Sequence, residues 1–231
     1  MTTSIAENIA GIRRRLNGAA ARAGRDPDSI RLMAVCKTVE PDRVRQAIAA
    51  GITLLGENYV QEAREKIPEI GHGVEWHMIG HLQTNKAKYV VTLFDWIHSV
   101  DRQELAYELD KRAGQNSRTL NILIEVNLSG EASKSGAEPS QVLELVRQIA
   151  ALPHLRVRGL MTVPPYSDQP ETSRPYFQSL GKLRDEIRAA AIPNITMDEL
   201  SMGMTDDFEV AVEEGATIIR VGRAIFGERI R

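Results

Sequence analysis

The regular alternation of short apolar strands with helices most constrains what this chain can fold into. After a first helix, predicted over residues 4–23, eight strand segments follow, and a helical segment separates each from the next. The strands are predicted at 32–39, 53–58, 75–80, 96–100, 120–127, 157–163, 196–201 and 217–222, and the helices between them at 41–51, 60–67, 84–93, 102–113, 141–151, 173–191 and 206–214. Such alternation indicates an α/β protein with a parallel sheet. Eight units predict a closed (β/α)8 TIM barrel with an extra N-terminal helix; an open doubly wound sheet is the alternative.

Local signals mark several helix ends. Ser4 and Glu7 have the spacing of a capping box at the start of the first helix. Pro41 suits the first turn of the next helix, because its missing N–H is not needed there. Gly114 is predicted to close the helix that begins at residue 102.

Charge and composition exclude several classes of protein. The 231 residues carry 29 basic and 31 acidic side chains, and no basic stripe indicates nucleic-acid binding. Neither a membrane-length apolar segment nor a signal-peptide core is evident. The single cysteine, Cys36, excludes an internal disulfide, and strand alternation predicts that it packs under the helices, opposite Lys37. We therefore expect a cytoplasmic protein that forms one domain over residues 1–231.

Lys37 lies near the end of the first predicted strand, an apolar run from Leu32 to Val39. A lysine is costly to bury unless it is paired or has lost its proton. A deprotonated lysine can attack a carbonyl carbon and form a Schiff base. The alternative is that the strand ends at Cys36 and that Lys37 points into solvent, and this segment alone favours that alternative.

Polar residues also follow the other predicted strands, where barrels place their active sites. Each has an ordinary explanation alone: Asn58 suits a turn, and a lone histidine such as His77 is usually a satisfied core residue. Their convergence on one rim nevertheless favours a site. The residues predicted at this rim are Lys37, Glu57, Asn58, His77, Gly80, His81, Ser99, Glu125, Asn127, Met161, Thr162, Ser201, Gly203, Arg220 and Gly222. A zinc site at His77 and His81 is not favoured, because they lie at a strand end rather than on one helix face.

The loops after the last two strands have features of a phosphate site. Residues 201–207 lead from a strand into a helix, with Gly203 allowing close approach of a ligand to the backbone. Residues 220–227 place Gly222 directly after the last strand. Loops after strands 7 and 8 commonly bind phosphate in barrels. For residues 201–207, a capped helix start is the structural alternative, and capping and anion binding can coexist there.

A reactive lysine and two phosphate loops together predict a ligand that carries both an aldehyde and a phosphate. Pyridoxal 5′-phosphate meets that description. Arg220 would then project from the last strand toward the pyridine ring, where a cation keeps the ring nitrogen unprotonated and weakens the cofactor as an electron sink.

Several motifs resemble those of the pyridoxal phosphate homeostasis protein family. They are AVCKT at 34–38, GENYVQE at 56–62, WHMIGHLQTNK at 76–86, SKSG at 133–136, GLMT at 159–162, LSMGMTDD at 200–207 and RVGRAIFG at 220–227. They extend from the first strand to the last, so the resemblance covers nearly the whole chain.

The resemblance implies a barrel like the N-terminal domain of alanine racemase, with pyridoxal 5′-phosphate held as an internal aldimine on Lys37. It implies that the phosphate is bound around Ser201, Gly203, Gly222 and Arg223, and that Arg220 faces the pyridine nitrogen. Many relatives have a small hydroxyl residue in place of Arg223, so the side-chain part of this grip differs here. Asn58 and His77 complete the candidate cofactor-binding residues at the rim.

The implied role is to bind, buffer and deliver the cofactor in vitamin B6 homeostasis. Its partners would be pyridoxal 5′-phosphate and apo forms of enzymes that use it, and the protein would be a monomer or a weak homodimer. Alanine racemases take a second acid/base tyrosine from a separate β-domain, and this chain ends at Arg231, soon after the barrel. We therefore expect a carrier rather than an efficient racemase.

Two alternatives remain. One is a small pyridoxal-phosphate enzyme with weak racemase or lyase activity that uses Lys37 alone or with Tyr59, Tyr166 or His81. The other is a phosphosugar-type barrel enzyme with a Schiff-base lysine, as in aldolases.

Overall fold

A computed structural model describes residues 4–131 and 134–228. Within them, eight parallel strands form a closed barrel in which each strand pairs with the next and the eighth pairs with the first. The (β/α)8 prediction is therefore confirmed. Ser133 of the SKSG motif lies outside the described residues. The strands are β1 Arg31–Val35, β2 Leu54–Glu57, β3 Glu75–Met78, β4 Trp96–Val100, β5 Leu120–Glu125, β6 Leu155–Met161, β7 Ile195–Ser201 and β8 Ile218–Val221.

The helices surround the barrel, and short 3-10 turns precede two of them. They are α1 Ile5–Arg22, α2 Pro41–Ala49, α3 Val60–Ile70, α4 Ala87–Leu93, α5 Gln103–Gln115, α6 Pro139–Ala150, α7 Arg174–Ala189, α8 Phe208–Glu213 and α9 Arg223–Phe226. None of the helices in the described ranges combines the length and apolar character needed to cross a membrane.

The extra helix α1 begins with the predicted capping box. The Ser4 side chain accepts a hydrogen bond from the Glu7 N–H, and the Glu7 carboxylate accepts one from the Ser4 N–H. Its apolar face is buried, mainly against α8 and α9, through Ile5, Ile9, Ile12, Leu16, Ala19 and Ala20. The helix therefore joins the outer ring.

Some predicted boundaries are wrong for local reasons. Helix α5 continues through Gly114 to Gln115, so Gly114 is not a helix stop. A β-carbon at Gly114 would lie 2.7 Å from Nε2 of His154, so the His154 side chain packs closely on this part of the helix. Strand β1 ends at Val35 rather than at residue 39, and Lys37 lies in the turn that follows.

The inside of the barrel is partly apolar and partly polar. Two small apolar clusters, Met33–Leu54–Ile218 and Trp96–Leu123–Met161, fill part of it. Between the ends of the barrel runs a line of polar side chains that we call the polar column. It consists of Arg31, Glu75, His77, His98, Ser201 and Arg220.

Candidate functional site

The carboxyl ends of the strands bring Lys37, Asn58, Ser201 and Arg220 to one end of the barrel. Lys37 is half-buried and follows β1 by two residues, and half-buried Asn58 directly follows β2. Ser201 is the last residue of β7, and Arg220 lies within β8. Because parallel barrel strands all end on the same face, residues far apart in sequence share one rim.

The two predicted phosphate loops lie against each other. The Arg220 N–H donates to the Gly203 carbonyl (2.9 Å), and the Ala224 N–H donates to the Thr205 hydroxyl (3.4 Å). Gly203 has φ +90°, and a β-carbon there would lie 2.5 Å from Cβ of Ala211. Glycine is therefore needed for both the backbone conformation and the packing of this loop.

Arg220 is a buried cation at this end of the barrel. Its Nη1 donates to Ser201 Oγ (2.7 Å) and its Nη2 donates to the Thr162 carbonyl (2.9 Å). Burial lowers the pKa of Arg220 to about 10, although the charges of Asp207 and Glu125 oppose this shift. The guanidinium is therefore charged at neutral pH and hydrogen-bonded to neutral groups.

The hydrogen bonds of the polar column have one direction from Arg220 to Glu75. His98 Nδ1 lies 3.1 Å from Ser201 Oγ, His98 Nε2 lies 2.8 Å from His77 Nδ1, and His77 Nε2 lies 3.4 Å from a Glu75 oxygen. Burial lowers the pKa of both histidines, that of His98 well below its usual value. A neutral ring carries one N–H. With Arg220 donating at one end and Glu75 accepting at the other, the Ser201 hydroxyl donates to His98, His98 to His77, and His77 to Glu75.

Several buried side-chain atoms have no hydrogen-bond partner among the described residues, and Asn58 Oδ1 and Glu125 Oε2 are those that lie near the carboxyl ends of β2 and β5. Burial raises the pKa of Glu125 to about 7, with Asp101 adding to the shift and Arg220 opposing it. Buried polar atoms are normally paired, so unpaired ones at a rim indicate where a ligand binds. A β-carbon at Gly80 would lie 2.3 Å from the Asn58 carbonyl, so the loop after β3 packs tightly on Asn58.

Some predicted rim residues point elsewhere. Glu57 is fully buried in an ion pair with Lys66 of α3, and the buried Cys36 thiol donates to Glu57 Oε1 (3.4 Å). Cys36 therefore lies under the helices, as its strand alternation predicts. The Arg223 guanidinium contacts both carboxylate oxygens of Asp206.

A cavity of ≈ 620 Å³ lies at the opposite, amino-terminal end of the barrel, lined by Glu75, Asp95, Arg118 and neighbouring residues. Its charged groups are largely paired: Arg118 contacts Asp95 (3.4 Å) and Arg31 contacts Glu75 (3.5 Å). Ligand sites of barrels lie at the carboxyl ends of the strands. We therefore assign the candidate site to the other end.

Sequence reasoning missed three side chains near this site. His98 is inside the barrel, and a polar residue at alternate spacing from Trp96 in an otherwise buried strand was the available signal. Glu62 and Lys66 of α3 contact the turn that carries Lys37. Their spacing of four residues predicts a shared helix face but not which turn that face meets.

Comparisons with known proteins match nearly the whole chain to one family and one fold. The family model described as alanine racemase, N-terminal domain, matches residues 3–230. The pyridoxal phosphate homeostasis protein of Aquifex aeolicus is 46% identical over 224 residues, covering 96% of this chain and 97% of that protein. The structure of PipY of Synechococcus elongatus with pyridoxal phosphate bound is 36% identical, with TM-score 0.85, covering 97% of this chain and 100% of that one. The structure of an alanine racemase of Corynebacterium glutamicum is 18% identical, with TM-score 0.74. The match covers 97% of this chain and 61% of the racemase chain, so the two share the fold.

Proposed function

The chain belongs to the alanine racemase N-terminal domain family, and we propose that it binds pyridoxal 5′-phosphate and serves the homeostasis of that cofactor. The names of its relatives support this role, and so does the cofactor-bound PipY structure. When bound, pyridoxal 5′-phosphate supplies an aldehyde that reacts reversibly with amines and a pyridine ring that can accept electrons. The remaining question is how the residues of this chain hold it.

The observation that carries the proposal is the presence of a lysine and a buried arginine on neighbouring strands at one rim. Lys37 follows β1, and Arg220 lies on β8, the strand that pairs with β1. The buried acceptors Asn58 Oδ1 and Glu125 Oε2 at the same rim have no partner among the described residues. An amine and a buried cation on neighbouring strands fit an aldehyde-bearing, heteroaromatic phosphate, and an unpaired acceptor can accept from a ring hydroxyl of such a ligand.

We assign each residue a role in holding the cofactor. Lys37 forms a Schiff base with the aldehyde carbon. Arg220 faces the pyridine nitrogen and, by its positive charge, keeps that nitrogen unprotonated. Asn58 contributes a polar contact through its amide.

The phosphate is held between the loops after β7 and β8, around Ser201, Gly203, Gly222 and Arg223. Because the Arg223 guanidinium contacts Asp206, we propose that Arg223 contributes its backbone N–H, which has no partner inside α9. The Ser201 hydroxyl donates to His98 in the polar column, so we propose that the backbone around Ser201 binds the phosphate while its side chain orients Arg220.

His77 acts through the polar column rather than by contact. Both of its ring nitrogens have partners within the protein, His98 and Glu75. Its ring also stacks on Trp96, with centroids 5.5 Å apart. We therefore propose that His77 supports His98, which in turn fixes the Ser201 hydroxyl next to Arg220.

In the proposed role, the protein buffers the cofactor and delivers it to apo forms of enzymes that use it, as part of vitamin B6 balance. A Schiff base is reversible, so it stores an aldehyde without consuming it. We further propose that residues 1–231 act as one domain in the cytoplasm, as a monomer or a weak homodimer. Weak racemase or lyase activity is the alternative, and α-proton exchange of amino acids in deuterated water separates the two.

The direct test is reduction of the cofactor-loaded protein with borohydride, followed by peptide mapping. We expect the label on Lys37 and loss of the visible Schiff-base absorption in Lys37→Ala. Lys111→Ala, which changes an exposed lysine on α5, should retain label and absorption. If Lys37→Ala kept its absorption, another of the seven lysines would be the attachment point and the assignment would fail.

A further inference from the structure

The turn that carries Lys37 has an unusual backbone conformation. Thr38 has φ +58°, in the left-handed region that β-branched residues rarely adopt. Such conformations persist only where surrounding contacts hold them, and they occur often at functional sites. The Thr38 hydroxyl donates to the Lys37 carbonyl (2.7 Å), which accounts for only part of the restraint.

Helix α3 contacts the peptide groups on both sides of the Lys37 α-carbon. Lys66 Nζ donates to the Cys36 carbonyl (2.7 Å), which belongs to the peptide before Lys37. Glu62 Oε2 accepts from the Thr38 N–H (2.7 Å), which belongs to the peptide after Lys37. Two residues four apart on one helix face thus hold both peptide planes next to Lys37.

The cationic half of this pair is anchored in the core. The Lys66 side chain is 7% exposed and pairs with Glu57, the fully buried last residue of β2. Burial opposes the charge on Lys66, but Glu57 offsets this and the pKa of Lys66 lies above its usual value. A buried ion pair is weak evidence for stability, because desolvation offsets much of its attraction. Its geometry next to the Lys37 turn indicates a further role.

We propose that Glu62 and Lys66 are positioning residues for Lys37. By fixing the two flanking peptide planes and the left-handed Thr38, they set the direction in which the Lys37 Cα–Cβ bond leaves the turn. This rests on the proposed function, in which the neutral Lys37 amine forms a double bond to the aldehyde carbon of pyridoxal 5′-phosphate. The amine loses its two protons in that step, and the aldehyde oxygen leaves with them as water.

The first test uses Glu62→Ala, because Glu62 is partly exposed and the variant should fold. Mixing apo protein with pyridoxal 5′-phosphate and following the visible absorption gives the rate of Schiff-base formation. We expect the rate in Glu62→Ala to fall about tenfold, with little change in the unfolding temperature. Glu62→Gln can still accept from Thr38 and should retain most of the rate. Glu65→Ala, an exposed residue of the same helix, should match the wild type.

A rescue variant separates positioning from general damage. Glycine adopts the left-handed conformation without strain, so Thr38→Gly combined with Glu62→Ala should recover most of the lost rate. For Lys66, Glu57→Met and Lys66→Met are made together so that no buried charge is left alone. This double variant should lower the rate of Schiff-base formation as Glu62→Ala does. Wild-type rates in both Glu62→Ala and the methionine pair, or no recovery with glycine, would overturn the proposal.

Hydrogen exchange of the apo protein tests the positioning of the Lys37 turn separately from the attachment of the cofactor to Lys37. In apo protein, Glu62→Ala should speed exchange of the Thr38 amide, which has lost its acceptor, while Glu65→Ala should not. Unchanged exchange at Thr38 would contradict the positioning role of Glu62 even if Lys37 carries the cofactor. If borohydride labels another lysine while Thr38 exchange responds as expected, Glu62 does restrain the turn. The role assigned to Lys37 under the proposed function then fails.

Discussion

Arg31 and Arg220 occupy opposite ends of the polar column and are held in opposite ways. Arg31, at the amino-terminal end, contacts the carboxylates of Glu199 (2.7 Å) and Glu75 (3.5 Å). Arg220 is more deeply buried, yet within the described residues no carboxylate forms an ion pair with it. One arginine is neutralised by its surroundings, and the other keeps its charge available.

This difference separates stability from function. A buried cation hydrogen-bonded only to neutral groups is expensive to fold, because water is lost without a compensating charge. Proteins retain such costs chiefly at functional sites. We therefore propose that the amino-terminal end of the column contributes mainly to stability, and that the carboxyl-terminal end contacts a ligand with an electron-rich acceptor.

Glu125 lies at the same end of the barrel as Arg220 without forming an ion pair with it. Its titration gives the largest expected effect, a change of the unfolding free energy with pH. Its pKa rises from 4.5 to about 7, so the folded state keeps a proton that the unfolded state releases between those pH values. This stabilisation is complete below pH 4.5 and is lost as the pH rises to about 7. The loss amounts to roughly 3 kcal/mol of unfolding free energy. Glu125→Gln should not show this loss.

Chemical denaturation of apo protein between pH 4.5 and pH 8 measures this effect as the difference between wild type and variant. The variant should gain stability relative to wild type as the pH rises. Glu144→Gln, at an exposed position on α6, serves as the control and should follow the wild type. A pH-independent difference between Glu125→Gln and wild type would mean that Glu125 is ionised throughout and pairs with Arg220 after all.

Exchanging each arginine for methionine tests the comparison directly. Arg220→Met should weaken binding of pyridoxal 5′-phosphate on the order of 10–100-fold, the loss of one hydrogen bond to a charged group. Its unfolding free energy should change little, because a buried charge is removed. Arg31→Met should leave binding nearly unchanged and lower the unfolding free energy by about 1–2 kcal/mol, because Glu199 loses its partner.

Titration of the visible absorption and denaturation of the apo protein give the two quantities for each variant. Each arginine variant is the other's control, since both remove one guanidinium from the same column. Equal losses of binding in the two variants would show that the column acts as one electrostatic unit. The distinction between its ends would then have to be abandoned.

The fold was predictable because each of its signals is local. Strand and helix periodicities, turn glycines and the capping box at Ser4 are all readable within short segments. The positions of Lys37, Gly203 and Gly222 at one end of the barrel were predictable for a related reason: a barrel brings every strand end to one rim, whatever the register. Their roles in binding the cofactor stay a prediction.

The rest depended on contacts that no short segment encodes. The sequence spacing of His77, His98 and Ser201 does not reveal that they form one hydrogen-bonded line, because that depends on strand stagger and on bulges. The β4–β5 register shifts between Ile97 and Val100, for example. Glu62 and Lys66 belong to α3, which α2 and β2 separate from Lys37 in the chain, and only packing brings them to its turn. Gly114 was misread as a helix stop because glycine also occurs inside a helix, here where the side chain of His154 packs closely on it.

His98 links the two ends of the column, and replacing it gives the smallest expected effect. His98→Leu leaves the Ser201 hydroxyl and His77 Nδ1 without their partner, which should lower the unfolding free energy by about 1–2 kcal/mol.

The pH dependence of this loss of stability identifies its cause. Burial holds the pKa of His98 well below its usual value, and His77 and Arg220 add to this. Below about pH 6.5 the unfolded chain therefore takes up a proton that the folded wild type excludes. His98 thus contributes a loss of stability as the pH falls, and His98→Leu lacks this contribution. The difference in unfolding free energy between His98→Leu and wild type should therefore narrow at low pH, whereas His72→Leu at an exposed position should not show this. A deficit that widened at low pH would mean that His98 is protonated in the fold. The column could not then have one direction, because a protonated ring donates on both sides.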